Sequence, residues 1–214
     1  MPGIIMITKE KLANPHFQAI LNAAAKIFRT KGYHHANMSE IAREVGLQKA
    51  SLYHHIESKE ELLYAILLTA CETYYQSFKK VLLSTQSPDV LLKEAIIAHM
   101  TPILSEFDRS YLLLHELHNV TGEYRKEIDF EIKKYVSTWV DILERGKQSG
   151  LFRADLNVKI TMLSIFGICN WTLQWYKPEG KYNARELSEL YASNFLDGIR
   201  ARARETSSPA DNPA

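Results

Sequence analysis

Hydrophobic positions recur three and four residues apart along most of the chain, and nowhere do they alternate residue by residue. That period belongs to helices, and it predicts an all-α protein of about nine of them. Asn14-Pro15 caps and opens the first; Phe17, Ile20, Leu21, Ala24, Ile27 and Phe28 form its apolar stripe, and Gly32 ends it. Residues 1–13 read as a loose leader. Two short helices follow, from Met38 and from Lys49 to His55, then a long one from Ser58 to about Ser84. Further helices are predicted from Val90 to about Glu106, with Pro102 bending or breaking the run, and from Tyr111 to His118. The next opens at Thr121-Gly122 and ends near Gly146 to Gly150. The last two start at Asp155 or Asn157, running to Tyr176, and at Asn183, with Leu187, Leu190, Tyr191, Phe195 and Ile199 on one face. The polar residues 205–214 read as a disordered tail.

The two short helices carry the most specific pattern. Asn37 with Glu40, and Ser58 with Glu61, have the spacing of capping boxes; so do Asn183 and Glu186. Ile41, Ala42 and Val45 make the apolar face of the first short helix. Gly46 stands where the chain must turn with φ > 0, and Leu47 buries the turn. In the second, Leu52 and Ile56 point inward together, Ala50 and His54 outward, and Ser51 and Tyr53 flank them. Lys49 lies in its first turn, the end that enters the groove in helix-turn-helix proteins. A short helix, a tight turn and a second helix with a small polar outer face suit a DNA major groove.

Residues 17–64 resemble the DNA-binding domain of the TetR/AcrR family of bacterial transcription regulators. The resemblance rests on Ala24 to Phe28, Lys31-Gly32-Tyr33, Ile41 to Leu47, Lys49 to His55 and Ser58 to Leu63. Three positions depart from it: Met38 where Thr is common, Gln48 where Ser often caps the recognition helix, and Ile56 where Phe is usual. The resemblance implies a helix-turn-helix domain over 1–60, a ligand-binding and dimerisation domain over 61–204, and a homodimer on a palindromic double-stranded operator. It implies a DNA surface of Ser39, Gln48, Lys49, Ala50, Ser51, Tyr53, His54 and Lys59. A repressor is the implied sign of regulation.

Charge adds little to this picture. The 214 residues carry a net charge of +1, with 46% hydrophobic and 24% charged residues, an ordinary globular composition. Residues 1–60 hold eight basic and five acidic side chains and five of the eight histidines, a modestly basic end. Cys71 and Cys169 lie in separate helical patterns, so no disulfide framework is implied and a reducing cytoplasm fits. Ile160 to Tyr176 is uncharged, but it is short for a membrane span and contains Thr161, Ser164, Asn170, Thr172 and Gln174. A helix apolar nearly all round must be covered on two sides. The resemblance implies the two covers, the subunit core on one side and, on the other, a partner's copy in a four-helix bundle formed by the last two helices of each subunit; a monomeric core helix is the plain alternative.

The C-terminal part is rich in aromatic and polar-tipped residues, which suit an apolar ligand cavity. Tyr74, Phe78, Phe107, Tyr111, His115, Tyr135, Trp139, Asn170, Trp171 and Trp175 are its candidate lining, with an aromatic-rich core as the alternative. Asn170-Trp171, Trp175-Tyr176 and Lys177-Pro178-Glu179-Gly180 resemble a TetR subgroup that regulates fatty-acid, steroid and aromatic-acid degradation. That resemblance implies release from DNA by a hydrophobic small molecule such as an acyl-CoA, with Arg109, Arg125, Lys126, Arg145 and Lys147 as candidate cations for its phosphates. His115 and His118 share a helical face, with His99 a possible third ligand, but the spacing fits no defined metal site. No catalytic triad order, phosphate-binding glycine loop or paired carboxylate stands out, so neither an enzyme nor a cofactor is predicted. The rival reading is a DNA-organising protein on the same scaffold that answers to no ligand.

Overall fold

The computed structural model describes residues 7–200. Among them are ten α-helices: α1 Lys9–Ala13, α2 Pro15–Lys31, α3 Met38–Glu44, α4 Lys49–His55, α5 Lys59–Leu82, α6 Pro88–Ser105, α7 Phe107–His115, α8 Gly122–Gln148, α9 Val158–Trp175 and α10 Ala184–Ile199. A 3₁₀ turn, Leu117–Asn119, joins α7 to α8. No strand occurs among the described residues, only one isolated bridge between Phe152 and Arg200. None of their helices is long and apolar enough to cross a membrane. The predicted tail, 205–214, lies outside the described residues.

The extra helix is α1, which corrects the reading of a loose leader for residues 7–13; residues 1–6 lie outside the described residues. Thr8 caps it by accepting from the Lys11 amide. Ile7 is buried against the first core, where Leu12 also packs, and Lys11 pairs with Glu61 at 3.5 Å. Five residues are too few to display a helical period. The start of α7 is a second correction: it begins at Phe107, four residues before the predicted Tyr111. The carbonyl of Pro102 accepts from the Glu106 amide and ends α6, and α7 restarts at once.

Two of the three predicted capping boxes form differently. At α10 both halves are present: Asn183 accepts from the Glu186 amide, and Glu186 accepts from the Asn183 amide. At α3, Asn37 accepts from the Ser39 amide, and Glu40 turns away to Lys31 Nζ at 2.5 Å. An ammonium within reach wins the carboxylate from a neutral amide. At α5, Ser58 accepts from the Glu61 amide, while the buried Glu61 carboxylate accepts from the amide of Glu57 rather than of Ser58.

The helices close around two cores that share α5. Phe17, Ile20, Leu21 and Phe28 of α2, Ile41 of α3, Leu52 of α4 and Leu62, Leu63 and Ile66 of α5 build the first. Phe78 of α5, Leu92 and Ile96 of α6, Trp139 and Leu143 of α8, Ile165 and Cys169 of α9 and Leu196 of α10 build the second. Cys71 and Cys169 are free and buried. The N-terminal end of α5 is fastened to α8: the Glu60 carboxylate accepts from both the amide and hydroxyl of Thr121 at 2.8 Å. Tyr64 stacks on Tyr124 and bonds to Glu127. Helix α7 docks on α2: Arg109, 7% exposed, donates to Gln18 and Asn22 at 2.6 Å each, and Asp108 pairs with Arg29.

Candidate functional site

Three surfaces are candidates: the outer face of α4, a cavity behind it, and one side of α9. The turn before α4 is made by Gly46 at φ 71°, a left-handed conformation in which a side chain would be strained. It folds α4 back against α3, with only Leu52 of its residues buried. Lys49, Ala50, Tyr53 and His54 are exposed and Ser51 is half-buried. Lys49 Nζ lies 5.9 Å from the centre of the Tyr53 ring. Gln48 caps α4 by backbone alone, without a side-chain bond. His55 turns the other way and meets the His16 ring; burial first, then His16, Lys11 and His54, holds its pKa down.

Ser39 and Lys59 flank this face. Ser39 is exposed near the start of α3, its amide taken by Asn37. Lys59 Nζ donates to the His34 carbonyl at 3.0 Å and sits 4.8 Å over the Tyr33 ring; burial lowers its pKa. It braces the loop between α2 and α3.

The cavity holds about 290 Å³, at the low end for small-molecule sites. Cys71, Tyr74 and Tyr75 of α5 line it, with His99 of α6. Leu113 and Leu114 of α7, and Leu117 just beyond, form one wall. Glu131, Ile132, Tyr135 and Val136 of α8 and Phe166 and Asn170 of α9 complete it. Most of this lining is apolar. Burial pushes the Cys71 thiol up to about 12 and the Tyr74 phenol above its usual range, so both keep their protons. Burial also pushes His99 down to about 4, with Asn170 opposing in part. Lys134 lies 4.1 Å over Tyr75 and 3.4 Å from Glu131, beside two lining residues.

The structure brings three of the ten candidate lining residues to this cavity: Tyr74, Tyr135 and Asn170. Phe78 and Trp139 stand one layer behind, in the second core. Phe107 lies under the Arg29 guanidinium, away from the cavity. Tyr111 and His115 stack on each other at 4.1 Å, with His115 exposed. Trp171 and Trp175 face outward. Sequence reasoning did not single out the three leucines of the α7 wall, nor Ile132 and Val136. Of the deep wall, Tyr135 and Asn170 are among the candidates, and His99 is singled out only beside His115 and His118 as a metal ligand. His118 meets Asn119, and no group of three or more His, Cys, Asp or Glu among the described residues is placed to hold a metal ion. The candidate cations are engaged: Arg109 with Gln18 and Asn22, Arg125 with Asp129, Lys126 with Glu123, Arg145 with Asp141, and Lys147 with the Leu156 carbonyl.

Helix α9 is divided by face. Met162, Ile165, Cys169, Thr172 and Leu173 are buried; Phe166 and Asn170 turn to the cavity. Ile160, Leu163, Ile168, Trp171 and Trp175 lie on the opposite, exposed side, with Gly167 at its middle. Leu190 of α10 is exposed too.

Comparison with known proteins agrees with this geometry. A family described as bacterial regulatory proteins, tetR family, matches residues 20–66. A second, described as tetracyclin repressor-like, C-terminal domain, matches residues 85–199. The HTH-type transcriptional repressor KstR2 of Mycobacterium tuberculosis is 27% identical over 84% of this chain and 90% of its own length. The HTH-type transcriptional regulator UidR of Escherichia coli is 33% identical over 88% of this chain and 91% of its own. Among solved structures, AibR in complex with isovaleryl coenzyme A and operator DNA superposes with a TM-score of 0.77, at 28% identity over 88% of this chain and all of that one.

Proposed function

The chain belongs to the TetR family of bacterial transcription regulators, and we propose that it is a cytoplasmic, homodimeric repressor released from a palindromic operator by a small apolar ligand. Its activity is regulation, not catalysis, as for the relatives it matches. The carrying observation is the α7 wall: the helix that supplies leucines to the cavity is bonded through Arg109 and Asp108 to α2, the scaffold of the helix-turn-helix. Residues 1–60 read DNA, with Lys49, Ala50, Ser51, Tyr53 and His54 in the major groove and Ser39, Gln48 and Lys59 near the backbone. Residues 61–204 bind ligand and pair subunits. Two recognition helices on a two-fold axis require half-sites one helical turn apart, or a multiple of it.

An acyl-CoA is the favoured effector class. The lipid-degradation signature at Asn170 to Gly180 supports it, as does the isovaleryl coenzyme A in AibR. A 100-fold loss of DNA affinity requires about 2.7 kcal/mol of coupling, within the usual range. Titration with acyl-CoAs of increasing chain length is expected to change tryptophan emission and release a labelled operator over one concentration range. Release by free fatty acids or aromatic compounds alone would remove the thioester from this reading. A protein whose DNA affinity no apolar compound alters is a DNA-organising protein instead.

Lys59 provides a separate check on the DNA surface. Lys59→Ala is expected to weaken binding on all sequences alike and to reduce the salt dependence by about one ion. Lys49→Ala should instead change which sequences are preferred. Operator titrations at several salt concentrations measure both; an unchanged salt slope for Lys59→Ala rules out its phosphate contact.

A further inference from the structure

The cavity is apolar over most of its wall but polar at its deepest point. His99 is 4% exposed and packed among rings, with Phe166 stacked at 4.9 Å and Trp139 edge-on at 5.7 Å. Its Nδ1 lies 2.9 Å from the Tyr135 hydroxyl. Neither its Nε2 nor Oδ1 of Asn170, on the same cavity, makes a hydrogen bond of good geometry, although the two side chains are close enough for Asn170 to raise the His99 pKa in part. Buried polar atoms in this condition carry the full cost of their lost hydration. Two of them on one cavity wall are a recognition feature rather than packing.

Their protonation follows from burial. His99 is neutral in any working cell, and the Tyr135 phenol is pushed well above its usual range and keeps its proton. In the tautomer in which the Tyr135 phenol donates to Nδ1, the one proton of the neutral ring sits on Nε2. The deep end therefore offers one N–H donor and one amide-oxygen acceptor, with no net charge.

We propose that His99 Nε2 and Asn170 Oδ1 form a specificity subsite for a hydroxyl group on the buried end of the effector. This rests on the cavity being the effector site. A hydroxyl accepts from Nε2–H and donates to Oδ1, satisfying both. A methyl end leaves the two with only their poorly aligned contact to each other, and a carboxylate meets no cation there. The cavity has room for about ten water molecules' volume, so the buried group has on the order of ten non-hydrogen atoms. The effector class is thus a hydroxylated acyl group, its charged end left toward Glu131 and Lys134.

Matched pairs test this on the full-length protein: octanoyl against 8-hydroxyoctanoyl, and 3-phenylpropanoyl against 3-(4-hydroxyphenyl)propanoyl. Each is supplied as its CoA thioester and its N-acetylcysteamine thioester, so the acyl group is read apart from the phosphates. Tryptophan emission and operator release are the readouts. In at least one pair the hydroxylated member should bind about tenfold more tightly or better. Asn170→Leu should abolish that preference, bringing the two members of the pair within about threefold of each other. His99→Phe should do the same; should that buried variant fail to fold, Asn170→Leu carries the test alone. Equal binding within both pairs overturns the subsite and leaves the cavity's role standing. A preference that survives Asn170→Leu also overturns it. Silence from all eight thioesters removes the subsite together with the acyl-thioester reading it rests on.

Discussion

Trp171→Asp is expected to turn the protein into a monomer and to lower its operator affinity by about 100-fold or more. Trp171 is 66% exposed, at the centre of the outer stripe of α9. Ile160, Leu163, Ile168 and Trp175 share that side, and Leu190 is exposed on α10. Soluble monomers rarely leave so much contiguous apolar surface in water, and a two-fold axis lets one patch cover its own copy. A carboxylate at the centre of such a contact would be buried opposite its own image, both charges stripped of water. Losing the pairing makes the two half-sites independent. The affinity gained from linking two binding events, typically 10²–10⁴, then disappears. Sedimentation with an operator titration measures both. A Trp171→Asp protein that remains a dimer removes this face as the subunit contact. Retained helicity is expected in either case, because the side chain makes no part of the chain's own core.

Gly146→Ala is expected to cost the fold about 1–3 kcal/mol or more. Gly146 lies near the C-terminal end of α8, and the Phe152 ring packs against it. A methyl group there would stand 2.1 Å from two ring carbons. Phe152 has little room to retreat: it is 1% exposed, and its amide donates to the Gly146 carbonyl at 3.0 Å. At roughly 2–4 °C of melting temperature per kcal/mol for a chain of this size, calorimetry resolves the loss easily. Gly198→Ala is the control. It meets nothing within 4 Å on α10, so it should leave stability unchanged or raise it slightly. Similar melting temperatures for Gly146→Ala and the parent would mean that the Phe152 ring finds another place.

The helix-turn-helix was legible because its information is local. Gly46 dictates the turn, Leu52 and Ile56 fix which side of α4 faces inward, and no distant residue alters either. Capping was legible as far as one partner: Ser58 caps as its spacing says and Asn37 caps one residue earlier, at Ser39, but Glu40 found a lysine from another helix and Glu61 reached one residue further back. The cavity was far less so. Aromatic content drew attention to Phe78, Trp139, Trp171 and Trp175, yet a ring on a helix lines a cavity only if its face meets a gap between helices. That depends on how five segments cross. The α7 wall is leucine, the commonest core residue, and nothing in a leucine distinguishes a wall from a filling. Helix α9 shows the same limit: its sequence is apolar all round, and only the packed chain separates the buried side from the exposed one.

The docking of α7 sets a mechanical scale. Four residues separate Arg109, held by Gln18 and Asn22, from Leu113 at the cavity. At 1.5 Å per residue the two ends of this lever are about 6 Å apart. A rod that short does not bend, so a shift of an ångström imposed on Leu113 arrives at α2 almost undiminished. The N-terminal end of α5 is tied elsewhere, by Glu60 to the start of α8. Under the proposed ligand response, motion is therefore expected to reach α2 through α7. The exchange runs both ways: whatever factor a ligand takes from operator affinity, bound operator must take from ligand affinity.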